Sequence, residues 1–592
     1  MCFSEWNQRP KRPNFLFVMV DELRFPSVYE TPELKAWSRE NLKAMEELKQ
    51  TGVEFRFNYS GATACSPARA TIFTGQYPSL HGVSQTPGVA KRNFEPDMFW
   101  LGPNTVPTLG DYLQAGGYKT YYKGKWHVSD ANMLVPATQD PWPSYTSEGL
   151  PDPEATTVYT QAQRLHPFGF SGWVGPEPHG SSPRDSGASA AEGLSGRDVV
   201  FAHEVANLIQ KLDQDDPWFL VSSFVNPHDI TLFGDLTEFH PAFNFAVDPT
   251  LPPIPPAPTA NEDLGTKPQA QTSYKDRYQV ALQPTRDSEK MRKLYYTLQK
   301  KVDKDIQTVL DALKQSPHKD NTIVIFTSDH GDLLGAHGGL FQKWKVAYEE
   351  AIHTPLIFHW PGHFTPHKVD TLTSSVDLLP TILALAGISI PDTMLQLQAS
   401  HSEVHRPVGK DLSKELYSCE AKHIPTQDVL YFMTDDEPFS GLDSTSLFGT
   451  SYPPVREPAH LETVITRIDG DLYKYTRYFD NPQFWSSPGD QNVLELIEDV
   501  KQDGPIEEKK SILITKTTPV ADQLEMYNVT QDPLEMKNLA TEYKTPESEK
   551  IQFILADILS RQCKLKRLTP KSGPVPGVYN CPCSRTRFPR PS

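Results

Sequence analysis

The stretch NFLFVMVDE, residues 14–22, indicates the fold. It is a continuous apolar run that ends at two acidic residues, and such runs are typical of strands buried on both faces of a parallel sheet. Further apolar runs alternate along the chain with segments of helical periodicity, such as 33–52, which ends at a Gly. The other predicted strands are 53–57, 118–127, 218–225, 322–332 and 354–360. This alternation predicts an α/β fold, with a mostly parallel, doubly wound mixed sheet flanked by helices.

Ionisable residues cluster where these strands are predicted to end. In open α/β sheets, ligands bind beyond the carboxyl ends of the strands. An Asp after a strand is often a helix cap, and a lone His is often a core residue, so each has an ordinary structural explanation. Their occurrence together favours a functional site. The candidates are Asp21, Glu22, Lys125, His127, His228, Asp329 and His330.

The sequence changes character after about residue 420. Segments 429–437 and 462–479 are predicted to be antiparallel strands, and the second contains an Asp-Gly turn signal. We therefore expect an N-terminal α/β catalytic domain over 1–420, a smaller C-terminal α+β domain with an antiparallel sheet over 421–565, and an extension over 566–592. Two loops rich in Gly, Ser and Pro, at 174–196 and 251–265, are interpreted as walls of a substrate pocket.

The composition excludes several classes of protein. The chain has 592 residues and a formal net charge of −17, which argues against nucleic acid or an anionic membrane as its partner. Six cysteines are too few for a disulfide scaffold. No stretch approaches the roughly 20 apolar residues of a spanning helix, and the N-terminus lacks a signal-peptide pattern. The sequence is therefore expected to be cytoplasmic, and an anionic substrate would need a locally positive pocket.

A cysteine stands at the predicted start of a helix in ATACSPARATIFTG, residues 62–75. Pro67 suits the first helical turn, and Arg69 follows Cys65 by one turn on the same face. A helix N-terminus is expected to lower a thiol pKa or to bind an anion. A buried structural cysteine is the alternative, and the spacing alone leaves both interpretations open.

The segment CSPARATIFTG resembles the signature C-x-P-x-R of the type I sulfatases, in the alkaline phosphatase superfamily. Six further segments resemble family motifs in the expected order, so the similarity runs from about residue 14 to about residue 540. They are VMVDE at 18–22, GKWH at 124–127, SDHGD at 328–332, AYEEAIHTPLIF at 347–358, VDLLPTILALAG at 376–387 and EMYNVTQDPLEMKNLA at 525–540.

The resemblance implies a hydrolase of sulfuric esters. It implies that a formylglycine-generating maturation enzyme converts Cys65 to Cα-formylglycine. The hydrated aldehyde carries two hydroxyls on one carbon. One attacks sulfur and displaces the alcohol. Loss of the other's proton then re-forms the carbonyl and expels sulfate, so a hard displacement becomes two easier steps. The implied substrate is a sulfated small molecule or saccharide, such as an aryl, sugar or small-alcohol sulfate.

The resemblance also implies one divalent metal, bound by Asp21, Glu22, Asp329 and His330 together with the oxygen that replaces the sulfur of Cys65. Carboxylates favour Ca²⁺, with Mg²⁺ or Mn²⁺ as alternatives. Two residues depart from the commonest family pattern. Glu22 stands where the family most often has a second Asp, and the alternative role for Glu22 is to cap a helix or to support the metal ligands. His330 stands where the family frequently has Asn, and its nitrogen is a softer ligand than an amide oxygen.

The remaining catalytic positions carry over from the motifs. Arg69 is expected to hold the formylglycine. Lys125 and His127, two residues apart on a predicted strand, are expected to face the same side. There Lys125 is expected to bind sulfate or the formylglycine oxygen, and His127 is expected to act as the base. His228 is expected to bind sulfate and to protonate the leaving oxygen. The sulfate-binding lysine that precedes YEE is Lys343, with Lys345 as the alternative.

Three other functions share these motifs. A phosphonate monoester or phosphodiester hydrolase of the same superfamily binds a similar anion, and some members share a D-H metal motif. A catalytically inactive binding protein would have lost nucleophile or metal residues, yet those residues are present here. A thiol enzyme would use Cys65 without modification, and the mass of the peptide around Cys65 distinguishes it.

Overall fold

A computed structural model describes residues 12–88, 90–95, 98–178, 186–187, 196–417, 428–438, 458–480 and 521–573. Parts of the predicted loop at 174–196, the expected boundary near residue 420 and most of the extension over 566–592 lie outside these residues. Among the described residues, no single helix is long and apolar enough to cross a membrane. Two helices, Ser375–Leu385 and Ile390–Leu397, are together long and apolar enough, by length and composition alone, but they are bent by 102° at the break between them.

A seven-stranded mixed sheet forms the centre of the molecule, with the strand order β4-β5-β1-β6-β7-β2-β8. Strand β7 runs antiparallel to β6 and β2, and the other neighbouring strands are parallel. A separate two-stranded sheet pairs β3 with β9. These strands are β1 (Asn14–Asp21), β2 (Val53–Phe55), β3 (Asn58–Tyr59), β4 (Lys119–Gly124), β5 (Trp218–Pro227), β6 (Thr322–Ser328), β7 (Leu356–His359), β8 (His367–Val369) and β9 (Thr373–Ser374).

The described part of the chain contains fifteen α-helices. They are α1 (Pro32–Asn41), α2 (Lys43–Thr51), α3 (Cys65–Thr74), α4 (Pro78–His81), α5 (Leu109–Ala115), α6 (Pro153–Ala162), α7 (Arg197–Ile209), α8 (Gln269–Ala281), α9 (Glu289–Lys314), α10 (Ala336–Gly339), α11 (Glu349–Ile352), α12 (Leu378–Leu385), α13 (Ile390–Leu397), α14 (Ser413–Leu416) and α15 (Pro546–Lys566).

Helices cover both faces of the central sheet. Alternate side chains of β1 enter two apolar cores, because successive residues of a strand point to opposite faces. Leu16 and Val18 pack with α1, α2, α7 and α9, whereas Phe15 and Phe17 pack with α3, α5 and α12. The predicted doubly wound α/β class is therefore confirmed.

Four neighbouring parallel strands, β4, β5, β1 and β6, bring their carboxyl ends to one edge of the sheet. Strand β1 pairs in parallel with β5 on one side and β6 on the other, and β4 pairs in parallel with β5. The residues that follow these strands therefore start from the same rim of the sheet, as the sequence predicts.

The C-terminal part forms an antiparallel sheet of β10 (Val429–Thr434), β11 (His460–Ile468), β12 (Asp471–Phe479) and β13 (Gln523–Asn528), against which α15 packs. The predicted Asp-Gly turn joins β11 to β12. Both of its residues, Asp469 (φ 50°) and Gly470 (φ 93°), adopt the left-handed backbone that such a tight hairpin turn requires.

One predicted helix is two helices. The periodicity of 33–52 favours a continuous helix, but the chain breaks at Leu42, between α1 and α2. The Asp303 carboxylate of α9 accepts hydrogen bonds from the backbone N–H groups of Ala44 (3.0 Å) and Met45 (2.9 Å). These contacts satisfy donors at the start of α2, and a tertiary contact of this kind cannot be seen in local periodicity.

Candidate active site

Arg69 joins the ends of three strands at the sheet rim. Its Nη2 lies 2.9 Å from Asp21 Oδ2 at the end of β1, and its Nε lies 2.8 Å from Asp329 Oδ2 just after β6. Its Nη1 donates to the Lys125 carbonyl (2.6 Å) and to Ser223 Oγ (2.9 Å). All four donor contacts are buried, so the planar guanidinium fixes the relative positions of the carboxylates.

The Asp21 carboxylate also binds a second cation, since Lys125 Nζ lies 2.7 Å from Asp21 Oδ2. Burial alone would raise the pKa of Asp21, but Lys125 and Arg69 together hold it well below its usual range. The carboxylate is therefore ionised and is available as an oxygen ligand at neutral pH.

Cys65 begins α3, as the sequence predicts, and its side chain faces this cluster. Its Sγ lies 3.1 Å from His330 Nε2 and 3.5 Å from Asp21 Oδ1. The expectation that the helix N-terminus lowers the thiol pKa is wrong. Burial, followed by the charge of Asp21, raises the pKa of the Cys65 thiol, because both disfavour a thiolate.

The donor set at Cys65 fits a divalent metal. One potential ligand atom from each of four buried residues lies within 4.8 Å of all the others: Asp21, Cys65, Asp329 and His330. The Nδ1 of His330 lies 3.0 Å from the Gly331 carbonyl oxygen, which can only accept, so Nδ1 carries the proton. Burial lowers the pKa of His330, and the neutral ring directs the lone pair of Nε2 toward the cluster.

Glu22 lies in a second group of potential ligands, together with Asp21 and His228. Its Oε2 is 3.1 Å from Lys343 Nζ and 3.8 Å from His228 Nε2. Burial raises the pKa of Glu22 well above its usual range, against the opposing charge of Lys343. The predicted metal ligand Glu22 therefore adjoins the cluster around Cys65 but contacts two of the predicted sulfate-binding residues.

The two lysines that precede YEE reach different places. Lys343 contacts Glu22, whereas Lys345 Nζ lies 2.9 Å from Glu437 Oε2 and donates to the Asp436 carbonyl (3.0 Å) in the C-terminal part. Lys345 has a left-handed backbone (φ 63°), and its ammonium is held away from the group formed by Glu22 and His228. The structure therefore brings Lys343 to the site and ties Lys345 to the segment after β10.

The prediction that Lys125 and His127 share one face of a strand is wrong. Strand β4 ends at Gly124, and His127 adopts a left-handed backbone (φ 60°). Lys125 nevertheless reaches Asp21. The backbone N–H of His127 donates to Glu177 Oε1 (2.7 Å), and the His127 ring lies 6.3 Å from the ring of Trp100, measured between centroids.

Several residues that support the site are absent from the sequence-based prediction. Ser223 contacts Arg69, and Asp436 Oδ2 accepts from Ala64 N (3.2 Å), immediately before Cys65, and from Trp344 Nε1 (3.0 Å). Glu177 lies in the 174–196 loop, and the Gly-, Ser- and Pro-rich composition of that loop is the signal that could have identified it. The others sit in ordinary strand or strand-end sequence.

Comparisons with known proteins identify the family. Residues 13–388 match the family model described as Sulfatase. The chain is 30% identical over 397 residues to the uncharacterized sulfatase YidJ of Escherichia coli K12, covering 65% of this chain and 70% of that protein. It is 27% identical over 412 residues to the choline-sulfatase of Rhizobium meliloti, covering 64% and 69%.

Solved structures share the fold. A putative sulfatase from Bacteroides thetaiotaomicron has a TM-score of 0.58 at 20% identity, with 96% of this chain and 98% of that chain covered. The phosphonate monoester hydrolase of Agrobacterium radiobacter has a TM-score of 0.55 at 19% identity, with 95% and 99% covered. The family match and the relative at 30% identity show that the chain belongs to the sulfatase family of the alkaline phosphatase superfamily and is a sulfuric ester hydrolase.

Proposed function

We propose that this sulfatase hydrolyses the sulfate monoester of a saccharide or small alcohol, with Cys65 acting after conversion to formylglycine. The observation that carries the proposal is the position of Cys65. It stands at the buried start of α3, with a potential ligand atom within 4.8 Å of those of two carboxylates and an imidazole. A hydrated formylglycine at this position supplies a hydroxyl nucleophile and a second hydroxyl that releases sulfate.

The acidity of the unmodified thiol supports the modification. Burial raises the pKa of Cys65, so an unmodified side chain would be a protonated thiol at neutral pH and a poor nucleophile. This argues against a thiol enzyme. The hydroxyl groups of a hydrated formylglycine, placed beside cationic side chains, fit these surroundings better.

The residues present fit one divalent cation, which we propose is Ca²⁺, with Mg²⁺ or Mn²⁺ as alternatives. Asp21, Asp329, His330 and Glu22 would hold it, together with the oxygen at position 65. Bound there, it lowers the pKa of a hydroxyl nucleophile and stabilises developing negative charge. The nitrogen donor of His330 makes the set less oxygen-rich than typical Ca²⁺ sites.

The cationic side chains have complementary tasks. Arg69 is fixed by two carboxylates and positions them, and Lys125 and Lys343 place positive charge beside the nucleophile. Burial and the charge of Lys125 hold the pKa of His228 well below its usual range, so the free imidazole is neutral. An arriving anion raises that pKa, which lets His228 take up the proton that it gives to the leaving oxygen.

His127 completes the proposed set as the base. We propose that it accepts the proton whose loss releases sulfate from the enzyme. Its backbone adopts a left-handed conformation, and its ring lies beside that of Trp100.

The substrate class follows from the relatives as a proposal. One is named choline-sulfatase, another is the N-acetylgalactosamine-6-sulfatase of Homo sapiens, and one solved structure is described as a complex with D-glucosamine-2-N,6-O-disulfate. We therefore propose a panel of choline sulfate, sulfated N-acetylhexosamines and aryl sulfates as the first screen. Aryl phosphonates belong in the same panel, because the phosphonate monoester hydrolase shares the fold.

The decisive experiment examines position 65 and turnover together. Mass spectrometry of the peptide that contains Cys65 should show the mass loss of a thiol converted to an aldehyde, and Cys65→Ala should abolish sulfate release while circular dichroism stays unchanged. Faster turnover of aryl phosphonate than of aryl sulfate would favour the phosphonate hydrolase. An active preparation whose Cys65 is still alkylated by iodoacetamide would refute the proposed nucleophile.

A further inference from the structure

Glu177 binds the backbone that carries His127. Its Oε2 accepts from Trp126 N (3.1 Å) and its Oε1 from His127 N (2.7 Å), so one carboxylate satisfies two consecutive N–H groups. The side chain is buried, and the Glu177 N–H donates to Asn132 Oδ1 (2.7 Å), which fixes the residue in turn. A left-handed backbone at a non-glycine residue such as His127 is costly, and it persists only where the surroundings hold it.

Asp198 makes the same contact on the neighbouring strand, just before His228. Its Oδ1 accepts from Val225 N (2.7 Å) and its Oδ2 from Asn226 N (2.9 Å) and Asn226 Nδ2 (3.0 Å). Asp198 lies at the start of α7 and is fully buried. Its backbone N–H donates to the Gly187 carbonyl (2.9 Å), a described residue of the same 174–196 loop that supplies Glu177.

We propose that Glu177 and Asp198 are a pair of positioning carboxylates, one for each of the two histidines that transfer protons in the reaction. Glu177 holds the segment that carries His127, and Asp198 holds the segment that leads into His228. The inference rests on the proposed roles of those histidines in sulfate ester hydrolysis. It also assigns a role to described residues of the 174–196 loop, because Glu177 belongs to this loop and the Gly187 carbonyl accepts from the Asp198 N–H.

Each carboxylate must be ionised to accept from two amides at once. Burial raises the pKa of Glu177 to about 7, against Arg69 and Lys125, which lower it. Burial and the charge of Asp229 raise the pKa of Asp198 to about 7, against the hydrogen bonds from Val225 and Asn226, which lower it. The pKa of Asp305, on α9, is itself raised by burial and by Asp198.

Protonation of either carboxylate therefore removes one acceptor near neutral pH. Two groups of similar pKa make log kcat fall more steeply below that pH than one group does, and removing one group makes the fall shallower.

Asp303 offers a matched control. Like the two proposed positioning residues, it is buried and accepts hydrogen bonds from two consecutive backbone amides, those of Ala44 and Met45. It lies on α9, at the start of α2 rather than at the sheet rim. A loss of stability from removing such a contact should therefore appear in all three variants, whereas a loss of positioning should appear in only two.

The test compares Glu177→Gln, Asp198→Asn and Asp303→Asn by steady-state kinetics with an aryl sulfate, thermal unfolding and hydrogen exchange. Glu177→Gln and Asp198→Asn should each lower kcat about tenfold or more with KM within about threefold, because an amide keeps only one acceptor oxygen. Each should also make the fall of log kcat below pH 7 shallower than in the wild type. Asp303→Asn should lower the melting temperature with kcat unchanged.

Equal kcat losses in all three variants would overturn the proposal. So would a fall of kcat below pH 7 that is unchanged in both Glu177→Gln and Asp198→Asn. Hydrogen exchange tests it without turnover. The amides in 119–130 should lose protection in Glu177→Gln, and those in 218–230 in Asp198→Asn. Unchanged protection there would also overturn it. If the wild type hydrolyses no sulfate ester while these amides still respond as expected, the proposed function fails and the backbone contacts stand.

Discussion

Lys343 and Lys345 allow the charge at the candidate site to be tested against a control two residues away. Both side chains are buried, and each ammonium lies near one buried carboxylate, at 3.1 Å from Glu22 for Lys343 and at 2.9 Å from Glu437 for Lys345. The changes Lys343→Met and Lys345→Met remove the charge and retain most of the side-chain volume. Each variant therefore leaves one carboxylate in the protein interior without its cation.

The two substitutions should cost similar stability. Removing one partner of a buried ion pair typically costs about 3–5 kcal/mol, because the remaining charge is unpaired. Lys343→Met should fall at the lower end of this range, since burial has already raised the pKa of Glu22 and protonation relieves the charge. Lys345→Met should fall at the upper end, since Lys345 also donates to the Asp436 carbonyl.

Their effects on activity should differ by about two orders of magnitude. Removing one donor to transition-state charge costs roughly 2.7–4 kcal/mol, or about 10²–10³ in rate. Lys343 is the lysine that the structure brings beside Glu22 and His228, so its variant should lose that factor in kcat/KM for an aryl sulfate. Lys345→Met should stay within about threefold of wild type at temperatures where both variants are folded.

The assay needs three measurements on each variant: kcat/KM, the melting temperature and the fraction of modified Cys65. The modified fraction corrects kcat/KM for preparations in which different shares of Cys65 have been converted. Equal losses of kcat/KM in the two variants at matched folded fraction would refute the reasoning. So would full activity of Lys343→Met, since it would show that the charge beside Glu22 does not act on substrate.

Two further predictions concern His330 and His337. Replacing the nitrogen donor in His330→Asn should lower Mn²⁺ affinity more than Ca²⁺ affinity, by calorimetry on the purified protein, because an amide oxygen suits the harder ion; a parallel loss for both ions would contradict it. Burial alone would lower the pKa of His337, but Glu262 and Glu350 raise it to about 9 from 6.5, so its stabilisation is complete below pH 6.5 and lost as pH rises through 9. The melting-temperature difference between wild type and His337→Gln should therefore shrink over that interval, and a constant difference would exclude the linkage.

The sheet and its rim were predictable because their determinants are local. An apolar run such as 14–20 is recognisable without its neighbours, and parallel strands must present their ends at one edge. The start of α3 at Cys65 was predictable for the same reason, since Pro67 and the following apolar residues specify a helix in sequence.

The conformations that depend on distant residues were not predictable. His127 leaves the strand geometry where Glu177, 50 residues away, binds its N–H. Lys345 resembles Lys343 in sequence, yet contacts made by the segment after β10 determine where its ammonium lies. The pKa of Cys65 follows burial and Asp21 rather than the helix end that the sequence makes visible.

The C-terminal part contributes to the site, so a division near residue 420 does not separate catalysis from scaffold. Asp436, just beyond β10, accepts from the backbone of Ala64 and from Trp344, whose neighbours are Cys65 and Lys343. The Lys343 ammonium also lies 4.8 Å from the centroid of the Trp344 ring. We therefore propose that the C-terminal sheet is required for the geometry of the nucleophile and of one sulfate-binding lysine.

The charged side chains at the rim do not by themselves explain how a protein of net charge −17 binds a sulfate ester. At the rim, Arg69, Lys125 and Lys343 lie against three carboxylates: Asp21, Glu22 and Asp329. If all six are ionised the side chains sum to zero, so the residues alone offer an anion little net attraction. The raised pKa of Glu22 favours a proton there in the absence of other cations. A divalent cation would displace that proton and give the pocket the positive charge that its protein groups lack, so metal and anion binding should be strongly coupled.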